Sequence, residues 1–509
     1  MDIGQKDIEL IVQQVLKNVL PSVEQMAASS PSSSAIKTYK PGTDVSVENI
    51  PPKVTSVSVA STIKGDYGVF ETMSEAVDAA YEAQKIYRNN FQLKDRERLI
   101  QNIRKVTKEY AKTFAKMAVE ETKIGRYEDK IEKNLLVIEG TPGTECLTTA
   151  AISGDHGLTI VEHAPYGVIG AITPVTNPTE TIINNVISMI SGGNSVVFNV
   201  HPSAKNCCAF ALQLINKAIE EVGGPKNLAT MVKNPTLDTV KELSSNDKIR
   251  LLVGTGGMPM VRALLQSGKK VIGAGAGNPP VIVDETADIK HAAKEIYKGA
   301  SFDNNLLCLA EKEVFVVERV ATDLIYNMIQ EGAFLLNSNQ LEQIMDLVLT
   351  YEETPNGRVY HTNKQWVGKD ASKMLEAIGI QGKSECRLLI CEVAHNHPFV
   401  LLEQLMPVLP IVKCASLDQA IEYAMIAEHG NRHTASMFSQ NISHLTRFAR
   451  EVETTIFVKN AATLAGVGFG GEGHTTMTIA GPTGEGITNA VSFTRQRRCT
   501  LGEGGFRII

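Results

Sequence analysis

The chain has 509 residues, of which 43% are hydrophobic and 21% charged, with a formal net charge of -6 and a pI near 6.1. This composition is typical of a globular protein with two or three lobes, and it provides no basic field for nucleic acid or an anionic membrane surface. The sequence contains no run of 18 apolar residues, the length that would predict a membrane-spanning helix. Eight cysteines are scattered without CxxC spacing, which disfavours a disulfide framework or a zinc site and fits a reducing cytosol.

Residues 1–20, MDIGQKDIELIVQQVLKNVL, carry apolar residues at helical spacing and are predicted to form one amphipathic helix. Residues 21–48 are rich in Ser, Ala and Pro and are predicted to be a flexible linker. A helix on a tether either binds a partner or packs back on its own domain, and the periodicity favours neither. Acidic residues in the helix argue against a mitochondrial presequence, and no secretion signal is apparent, so a cytoplasmic location is expected.

The rest of the chain changes from helical to alternating patterns. Residues 73–138 have a helical pattern without proline, and short apolar runs then alternate with helical segments. The predicted strands are 168–172, 195–200, 249–253, 280–284, 313–318 and 455–460. Strands separated by helices are typical of parallel sheets with crossover helices, so the expected fold class is α/β.

The strongest local signal for a phosphate group is the turn after the strand at 249–253. Gly254, Thr255, Gly256 and Gly257 lead from this strand into a helix, whose N-terminus and preceding N–H groups would receive an anion such as pyrophosphate. The spacing is not GxGxxG, and an ordinary tight turn would have the same sequence. Two further glycine clusters, at 273–280 and 466–486, are typical of loops that a ligand approaches closely.

Cys308, in FDNNLLC, is the candidate nucleophile. Free cysteine is usually a core residue, so the residue alone does not indicate catalysis. Its context does, because six segments follow one another in the order ITPVTNP, VVFNVHPSAK, VGTGG, GAGAGNP, FDNNLLC and LEQLMPV. In this order and at these separations they resemble the aldehyde dehydrogenase superfamily. The strings AEKEVFVVE, TNPTETIINN and IAGPTGEG, and the amino-terminal helix, are similar to its CoA-acylating branch, the propionaldehyde and acetaldehyde dehydrogenases of bacterial microcompartments.

The resemblance implies the aldehyde dehydrogenase fold and a division of the chain. Residues 1–20 would be an encapsulation-type helix that binds a microcompartment shell protein. Residues 49–143 and 164–272 would form a Rossmann-like NAD-binding domain, residues 273–462 an α/β catalytic domain, and residues 144–163 with 480–509 a small β oligomerisation element. The expectation is a homodimer or homotetramer within a bacterial microcompartment in the cytoplasm, with no nucleic-acid or membrane partner.

The resemblance also implies a catalytic cycle. Cys308 would attack the aldehyde as a thiolate, and its backbone N–H together with Thr176 or Asn177 would stabilise the oxyanion, a choice that the sequence leaves open. NAD would accept a hydride, leaving an acyl thioester that coenzyme A removes as acyl-CoA. Leu307 stands where this branch is expected to have proline, so the position of the thiol is expected to differ slightly.

Gly273 stands where hydrolytic aldehyde dehydrogenases carry a general-base glutamate. Water has a pKa of about 15.7 and needs a base, whereas a thiol with a pKa of about 8.5 already supplies some thiolate. The glycine therefore favours a thiol acceptor, unless the register is shifted and another carboxylate serves. The competing hypotheses are a hydrolytic aldehyde dehydrogenase that releases a carboxylic acid and an inactive shell-binding scaffold.

For the cofactor, the resemblance assigns Glu403 in LEQLMPV to the nicotinamide ribose, although an unpaired surface glutamate would look the same. Asn199 and His201 stand where the family commonly uses a lysine at the adenine ribose, so NAD rather than NADP follows from the resemblance alone. NAD and CoA are expected to use overlapping surface near 254–257 in turn.

Other residues are assigned no function in catalysis. His395 and His397 are placed on one strand face without a third ligand, so no metal site is expected. Cys207 and Cys208 begin an apolar helix and are assigned to the core. The choice between acetaldehyde and propanal stays open, because one methylene changes binding by only about 1 to 3 kcal/mol.

Overall fold

The computed structural model describes residues 66–355 and 357–503. The predicted helix at 1–20 and the predicted linker at 21–48 lie outside these ranges. Within the described ranges, no helix has both the length and the apolar character needed to cross a membrane.

Helices form the stretch 73–138, as predicted, and the crossover connections between strands. The α-helices of the described ranges are α1 (Met73–Asn90), α2 (Leu93–Glu109), α3 (Ala111–Thr122), α4 (Tyr127–Gly140), α5 (Pro178–Ser191), α6 (Lys205–Glu221), α7 (Leu237–Ser245), α8 (Met258–Leu265), α9 (Ile289–Ser301), α10 (Glu318–Gln330), α11 (Ser338–Val348), α12 (Ala371–Ala377), α13 (Pro398–Leu401), α14 (Leu417–Glu428) and α15 (Ile442–Val452). Short 3₁₀ turns occur at Thr144–Cys146, Pro202–Ala204, Phe302–Asn305 and Thr463–Val467.

The strands include all six that the sequence predicts, with ends that differ by at most two residues. The strands are β1 (Val69–Phe70), β2 (Ala150–Gly154), β3 (Gly157–Pro165), β4 (Val168–Ile172), β5 (Ser195–Asn199), β6 (Ala229–Val232), β7 (Ile249–Thr255), β8 (Lys270–Ala274), β9 (Pro280–Val283), β10 (Glu313–Val317), β11 (Phe334–Leu335), β12 (Leu349–Thr354), β13 (Gly357–Thr362), β14 (Leu389–Glu392), β15 (Val408–Cys414), β16 (Thr434–Phe438), β17 (Ile456–Lys459), β18 (Ile479–Ala480), β19 (Gly486–Ile487) and β20 (Thr494–Gly502).

The first sheet is parallel, with strand order β1-β6-β5-β4-β7-β8. The chain leaves β4 in one direction through β5 and β6 and then returns to place β7 on the other side of β4. At the end of β4, Ile172 pairs with Asn199 of β5 and with Gly254 of β7. This is a topological switch point, the place where open α/β sheets bind ligands beyond the carboxyl ends of their strands.

The second sheet is also parallel, with strand order β11-β14-β15-β10-β9-β16-β17. Its central strands are buried on both faces, as expected for a parallel sheet covered by helices. Among the described residues, both sheets belong to one compact unit. The α/β fold class is thereby confirmed. The boundary predicted between residues 272 and 273 falls inside β8, because β8 pairs with β7 and ends the first sheet at Ala274.

A third, antiparallel sheet has the order β2-β3-β20. Its strands β3 and β20 pair along their full length, from Thr494 opposite Pro165 to Gly502 opposite Gly157. Most of β2 and β20 is exposed. This sheet brings together parts of the two segments that were assigned to oligomerisation, and that role stays a prediction.

A buried charge cluster joins the helices of the first sheet to the loop that precedes β10. Lys130 and Lys133 lie three residues apart on one face of α4, and their Nζ atoms are 3.1 and 2.5 Å from Oδ2 of Asp303. All three side chains are at most 1% exposed. Glu180, at the start of α5, lies 3.7 Å from Lys133 and balances the second positive charge.

Asp303 lies in a backbone segment that the cluster must hold in place. Asp303, Asn304 and Asn305 have φ values of +46°, +55° and +62°, a left-handed conformation that costs energy for residues other than glycine. Burial alone would raise the pKa of Asp303, but Lys130 and Lys133 together hold it below its usual value. The carboxylate therefore stays charged and keeps both lysines bound.

Replacing Asp303 by asparagine should leave two buried ammonium groups without their shared counter-charge. We expect Asp303→Asn to lower the free energy of unfolding by about 3 to 5 kcal/mol, measured by urea denaturation. Because the folded-state pKa of Asp303 is lowered, its stabilisation is present above about pH 4 and is lost as the pH falls through that lower value. The exposed control Asp238→Asn should change stability by less than about 1 kcal/mol. Equal unfolding midpoints for Asp303→Asn and the wild type at pH 7 would contradict the role of the cluster.

Candidate active site

The candidate nucleophile Cys308 is half-buried in the loop between the 3₁₀ turn Phe302–Asn305 and β10. Its backbone lies against the glycine-rich loop at 273–280. A Cβ atom at Gly277 would come within 2.7 Å of the Cys308 carbonyl oxygen and 2.9 Å of His433 Cγ, so this close approach requires glycine. Cys207 and Cys208, by contrast, are fully buried in α6, which confirms their assignment to the core.

Apolar side chains pack around the cysteine loop. Cys308 packs against a buried cluster that includes Phe302, Leu307 and Leu309. Phe469, from the glycine-rich segment 466–486, joins this cluster with its ring centroid 5.3 Å from that of Phe302. The thiol therefore has an apolar wall on one side.

The environment of Cys308 keeps its thiol protonated at neutral pH. Burial raises the pKa of the Cys308 thiol to about 12, the Glu403 carboxylate adds to the rise, and Lys312 and Lys133 oppose it. Because the thiolate is the nucleophile, a neighbouring group must accept the proton. Burial raises the pKa of Glu403 to about 7 against the opposing effect of Lys312, a value that suits proton exchange near neutral pH.

Glu403 is a half-buried residue in the loop before β15 and not a free surface carboxylate. The N–H of Gly277 donates to Glu403 Oε1 over 3.4 Å, which connects this loop to the glycine-rich loop beside Cys308. Gly277, Cys308, Glu403 and His433 thus precede β9, β10, β15 and β16, four neighbouring strands of the second sheet. The candidate site lies at the amino ends of these strands.

The side chain of Asn177 is oriented by the buried charge cluster. Lys133 Nζ donates to Asn177 Oδ1 over 2.6 Å, so the amide nitrogen Nδ2 points away from the lysine, and one of its N–H groups donates to Thr176 Oγ1 over 3.2 Å. Lys130 donates to the Thr176 carbonyl over 3.1 Å. Since both lysines also bind Asp303, five residues before Cys308, the cluster couples the segment after β4 to the nucleophile loop.

The turn at 254–257 lies at the carboxyl end of β7. A Cβ atom at Gly254 would lie 2.5 Å from Leu264 Cδ1, so glycine lets α8 pack closely on the strand. The N–H of Gly256 donates to the Ala274 carbonyl over 3.0 Å, and Thr255 Oγ1 lies 3.2 Å from Thr478 Oγ1. Exposed Gly257 precedes the first turn of α8, which is where N–H groups without helical partners occur.

Asn199 and His201 differ in their access to this edge of the first sheet. Asn199 is only 4% exposed, and its Oδ1 accepts a hydrogen bond of 2.5 Å from Thr239. His201 is exposed after β5, and its Nδ1 accepts from the Ser203 N–H over 3.2 Å, which leaves Nε2 for a ligand. Burial and the charge of Lys364 lower the pKa of His201, so the imidazole is neutral at pH 7.

The segment 466–486 begins as a glycine-rich loop and then enters the core. Residues 475–480 are all buried. Asn184 and Asn185 of α5 hold them, through bonds of 3.0 Å to the Met477 N–H and 3.1 Å to the Thr478 hydroxyl. The segment thereby links the first sheet to the apolar wall beside Cys308.

Gly273 lies inside β8, where a side chain has no space. A Cβ atom here would be 2.6 Å from Val261 Cγ1 of α8, and the Gly273 N–H already donates to Thr483 Oγ1 over 3.0 Å. A general-base glutamate would therefore not fit at this position without moving α8.

The placement of His395 and His397 on one strand face is wrong, because β14 ends at Glu392 before either residue. His395 stacks on Tyr423 with ring centroids 3.9 Å apart, and His397 begins α13 by accepting from the Phe399 N–H over 3.1 Å. Within 66–355 and 357–503, no group of three His, Cys, Asp or Glu residues is arranged to hold a metal ion.

Several site residues were not predicted from the sequence. They are buried charged or titratable groups that resemble ordinary solvent-facing residues in a helical or loop pattern: Lys130, Lys133, Asp303, Lys312 and His433. Burial lowers the pKa of His433 to about 4, so this imidazole is neutral near the Cys308 backbone. For Asp303 and Lys312, the sequence signal that could have found them was their position, because both lie close to Cys308 in the chain.

Comparison with known proteins identifies the family. The aldehyde dehydrogenase family model matches residues 46–493. An acetaldehyde dehydrogenase (acetylating) of Bilophila wadsworthia is 46% identical, with 100% of each chain covered. A propionaldehyde dehydrogenase from the Clostridium phytofermentans fucose utilisation bacterial microcompartment is 50% identical, with a TM-score of 0.83 over 87% of this chain and 100% of that chain.

A third protein resembles this chain as closely in structure. The crystal structure of Rhodopseudomonas palustris propionaldehyde dehydrogenase, with bound CoA and an acylated cysteine, is 48% identical with a TM-score of 0.83 over 87% of this chain and 100% of that chain. The resemblance inferred from the six ordered segments is confirmed by these matches. The chain belongs to the aldehyde dehydrogenase family.

Proposed function

We propose that this chain is a CoA-acylating aldehyde dehydrogenase that oxidises a short-chain aldehyde to acyl-CoA with reduction of NAD. The observation that carries the proposal is the pairing of a half-buried Cys308 with a Gly273 position that has no space for a general-base glutamate. Relatives that act on acetaldehyde and propionaldehyde are 46% and 48 to 50% identical, so the proposed substrates are aldehydes with two or three carbons.

The first half of the reaction forms a thioester on Cys308. Glu403 takes the thiol proton, and the sulfur attacks the aldehyde carbon while the carbonyl electron pair moves to oxygen. The Cys308 N–H and Asn177 Nδ2 stabilise this oxyanion, because Lys133 binds the amide oxygen of Asn177 and the second N–H of Nδ2 is left beside the one that donates to Thr176. Collapse of the thiohemiacetal then removes the hydride and leaves the acyl group on sulfur.

In the second half, the thiol of CoA attacks the thioester carbon. The bond between carbon and the Cys308 sulfur breaks, the proton of the CoA thiol passes to the departing Cys308 sulfur, and acyl-CoA is released. Position 273 supplies no base for water, and the thiol of CoA is far more acidic than water, so the thiol is the favoured acyl acceptor.

The described residues fit a dinucleotide at the switch point of the first sheet. The residues that would hold it are those of the turn 254–257, exposed His201, and Glu403 at the nicotinamide end. Asn199 would support the end of β5 from within, because its side chain is buried against Thr239. When bound, NAD supplies the acceptor for the hydride. CoA would occupy overlapping surface after the reduced cofactor leaves.

We also infer that residues 1–20 bind a microcompartment shell protein and that the chain forms a homodimer or homotetramer. The amphipathic pattern of residues 1–20 and the microcompartment origin of a 50% identical structure support the first inference. The exposed sheet β2-β3-β20, which presents Ile152 and Leu501 to solvent, supports the second.

Removing the thiol should abolish acyl transfer. We expect Cys308→Ala to lose NAD reduction with acetaldehyde and propanal by at least about 10³-fold. Cys146 is also half-buried and lies far from Cys308 in the sequence, so the control variant Cys146→Ala should keep wild-type activity. Mass spectrometry of wild-type protein quenched during turnover should find the acyl adduct on Cys308. Carboxylate release without CoA would instead indicate a hydrolytic enzyme, and inactivity of the wild type would indicate a scaffold.

The choice between Asn177 and Thr176 is tested by a matched pair of variants. Asn177→Asp keeps the oxygen that accepts from Lys133 but removes the Nδ2 donor, so kcat should fall by about 10² to 10³-fold. Thr176→Val, which removes only the hydroxyl, should lower kcat by less than about 10-fold. A larger loss in Thr176→Val would assign the oxyanion to Thr176.

Deleting residues 1–20 should separate encapsulation from catalysis. We expect the shortened chain to keep its kcat for NAD reduction and to lose co-sedimentation with assembled microcompartment shells. A control that replaces only the linker residues 21–48 with a Gly/Ser sequence of equal length should still co-sediment. Loss of activity on deletion would place the helix within the folded enzyme.

A further inference from the structure

Lys312 is a buried lysine whose ammonium group serves the nucleophile loop. The residue is 3% exposed, four positions after Cys308 and immediately before β10. Its Nζ donates to the backbone carbonyls of Asn305 and Leu307 over 2.8 and 3.0 Å, and to the side-chain carbonyl of Asn305. These three bonds use all three N–H donors of the ammonium, and each acceptor is a neutral oxygen.

One of these acceptors belongs to the peptide group that contains the candidate oxyanion donor. The Leu307 carbonyl and the Cys308 N–H are the two ends of the same planar peptide. A cation on the carbonyl oxygen fixes the orientation of that plane. It also polarises the group, which makes the N–H at the other end a stronger donor.

Asn305 connects the lysine to the rest of the loop. Its Nδ2 donates to the carbonyls of Ala300 and Glu311 over 2.9 and 2.8 Å, so its own oxygen is held toward Lys312. Asn305 also has a left-handed φ of +62°. The conformation of the segment from 305 to 308 is therefore set by buried hydrogen bonds, with Lys312 at their centre.

Several titratable groups face Cys308 and Lys312. They come from the cysteine segment itself, from the loops before β15 and β16 and from α4: Glu311, Glu313, Glu403, His433 and Lys133. Glu428, at the end of α14, acts on Glu313. Burial raises the pKa of Glu311 to about 7 and that of Glu313 well above its usual value. Neither oxygen of Glu313 has a hydrogen-bond partner among the described residues, as expected for a carboxyl that is held neutral.

We propose that Lys312 is a positioning residue that orients and polarises the Leu307–Cys308 peptide for the oxyanion and supplies the positive charge beside the Cys308 thiolate. The inference rests on the proposed role of Cys308 as nucleophile. Lys312 contacts the loop and not the substrate, so its effect on the reaction passes through Cys308.

The test compares Lys312→Met with Lys312→Arg. Lys312→Met removes the charge and all three hydrogen bonds. We therefore expect kcat, divided by the fraction of Cys308 that can be acylated, to fall roughly 10- to 100-fold, while KM for aldehyde changes less than about threefold. In Lys312→Met, the rate of Cys308 alkylation by iodoacetamide should still rise with pH, but the rise should occur at higher pH than in the wild type. Lys312→Arg keeps the charge and should keep the alkylation curve near that of the wild type.

A matched control is Lys369→Met. Lys369 Nζ also donates to a backbone carbonyl, that of Lys123, over 2.6 Å, but it belongs to the loop after β13 and not to the nucleophile loop. This variant should leave both kcat and the alkylation curve unchanged. A purely structural role for Lys312 would lower the unfolding midpoint without moving the alkylation curve of the folded fraction, and that result would overturn the proposal.

Two outcomes separate this inference from the proposed function. If wild-type protein forms no acyl adduct on Cys308, the proposed function fails. If the adduct forms but Lys312→Met matches the wild type in kcat and in alkylation within twofold, only the role of Lys312 fails. Should Lys312→Met not fold, Lys312→Gln, which keeps donors without the charge, is compared with Lys312→Arg, and identical alkylation curves would overturn the proposal.

Discussion

The active site depends on one buried carboxylate that binds two lysines. Asp303 lies in the loop before β10, whereas Lys130 and Lys133 lie on α4, so their contact fixes the second sheet's nucleophile loop against the segment that follows β4 of the first sheet. The same two lysines bind the Thr176 carbonyl and the Asn177 side chain. The loop that contains Cys308 and the segment that contains Thr176 and Asn177 are therefore positioned by a single charge cluster, and an apolar contact of equal size would not impose this orientation.

The two parallel sheets contribute opposite ends to the site. The first sheet provides the carboxyl ends of β4, β5 and β7, the usual location for a dinucleotide. The second provides the amino ends of β9, β10, β15 and β16, from which Gly277, Cys308, Glu403 and His433 precede their strands. Covalent chemistry and cofactor binding can then meet between the sheets, while each sheet keeps its own core.

Sequence patterns predicted the strands and the nucleophile better than they predicted the groups that position them. The six predicted strands are apolar runs that a parallel sheet buries on both faces, so their composition alone reveals them. Lys130, Asp303 and Lys312 were missed because a charged residue in a helix or loop is usually solvated, and only its tertiary partners make burial possible. His395 and His397 were misplaced because two histidines at alternate positions resemble a strand face, and strand ends are poorly marked in sequence.

The packing of Gly273 against Val261 restricts how this enzyme could evolve. A side chain gained at position 273 would first meet Val261 of α8, the helix that follows the turn 254–257. Such a gain therefore calls for a paired change that shrinks residue 261. The packing of α8 on β8 thus constrains a position that lies far from Cys308 in the sequence.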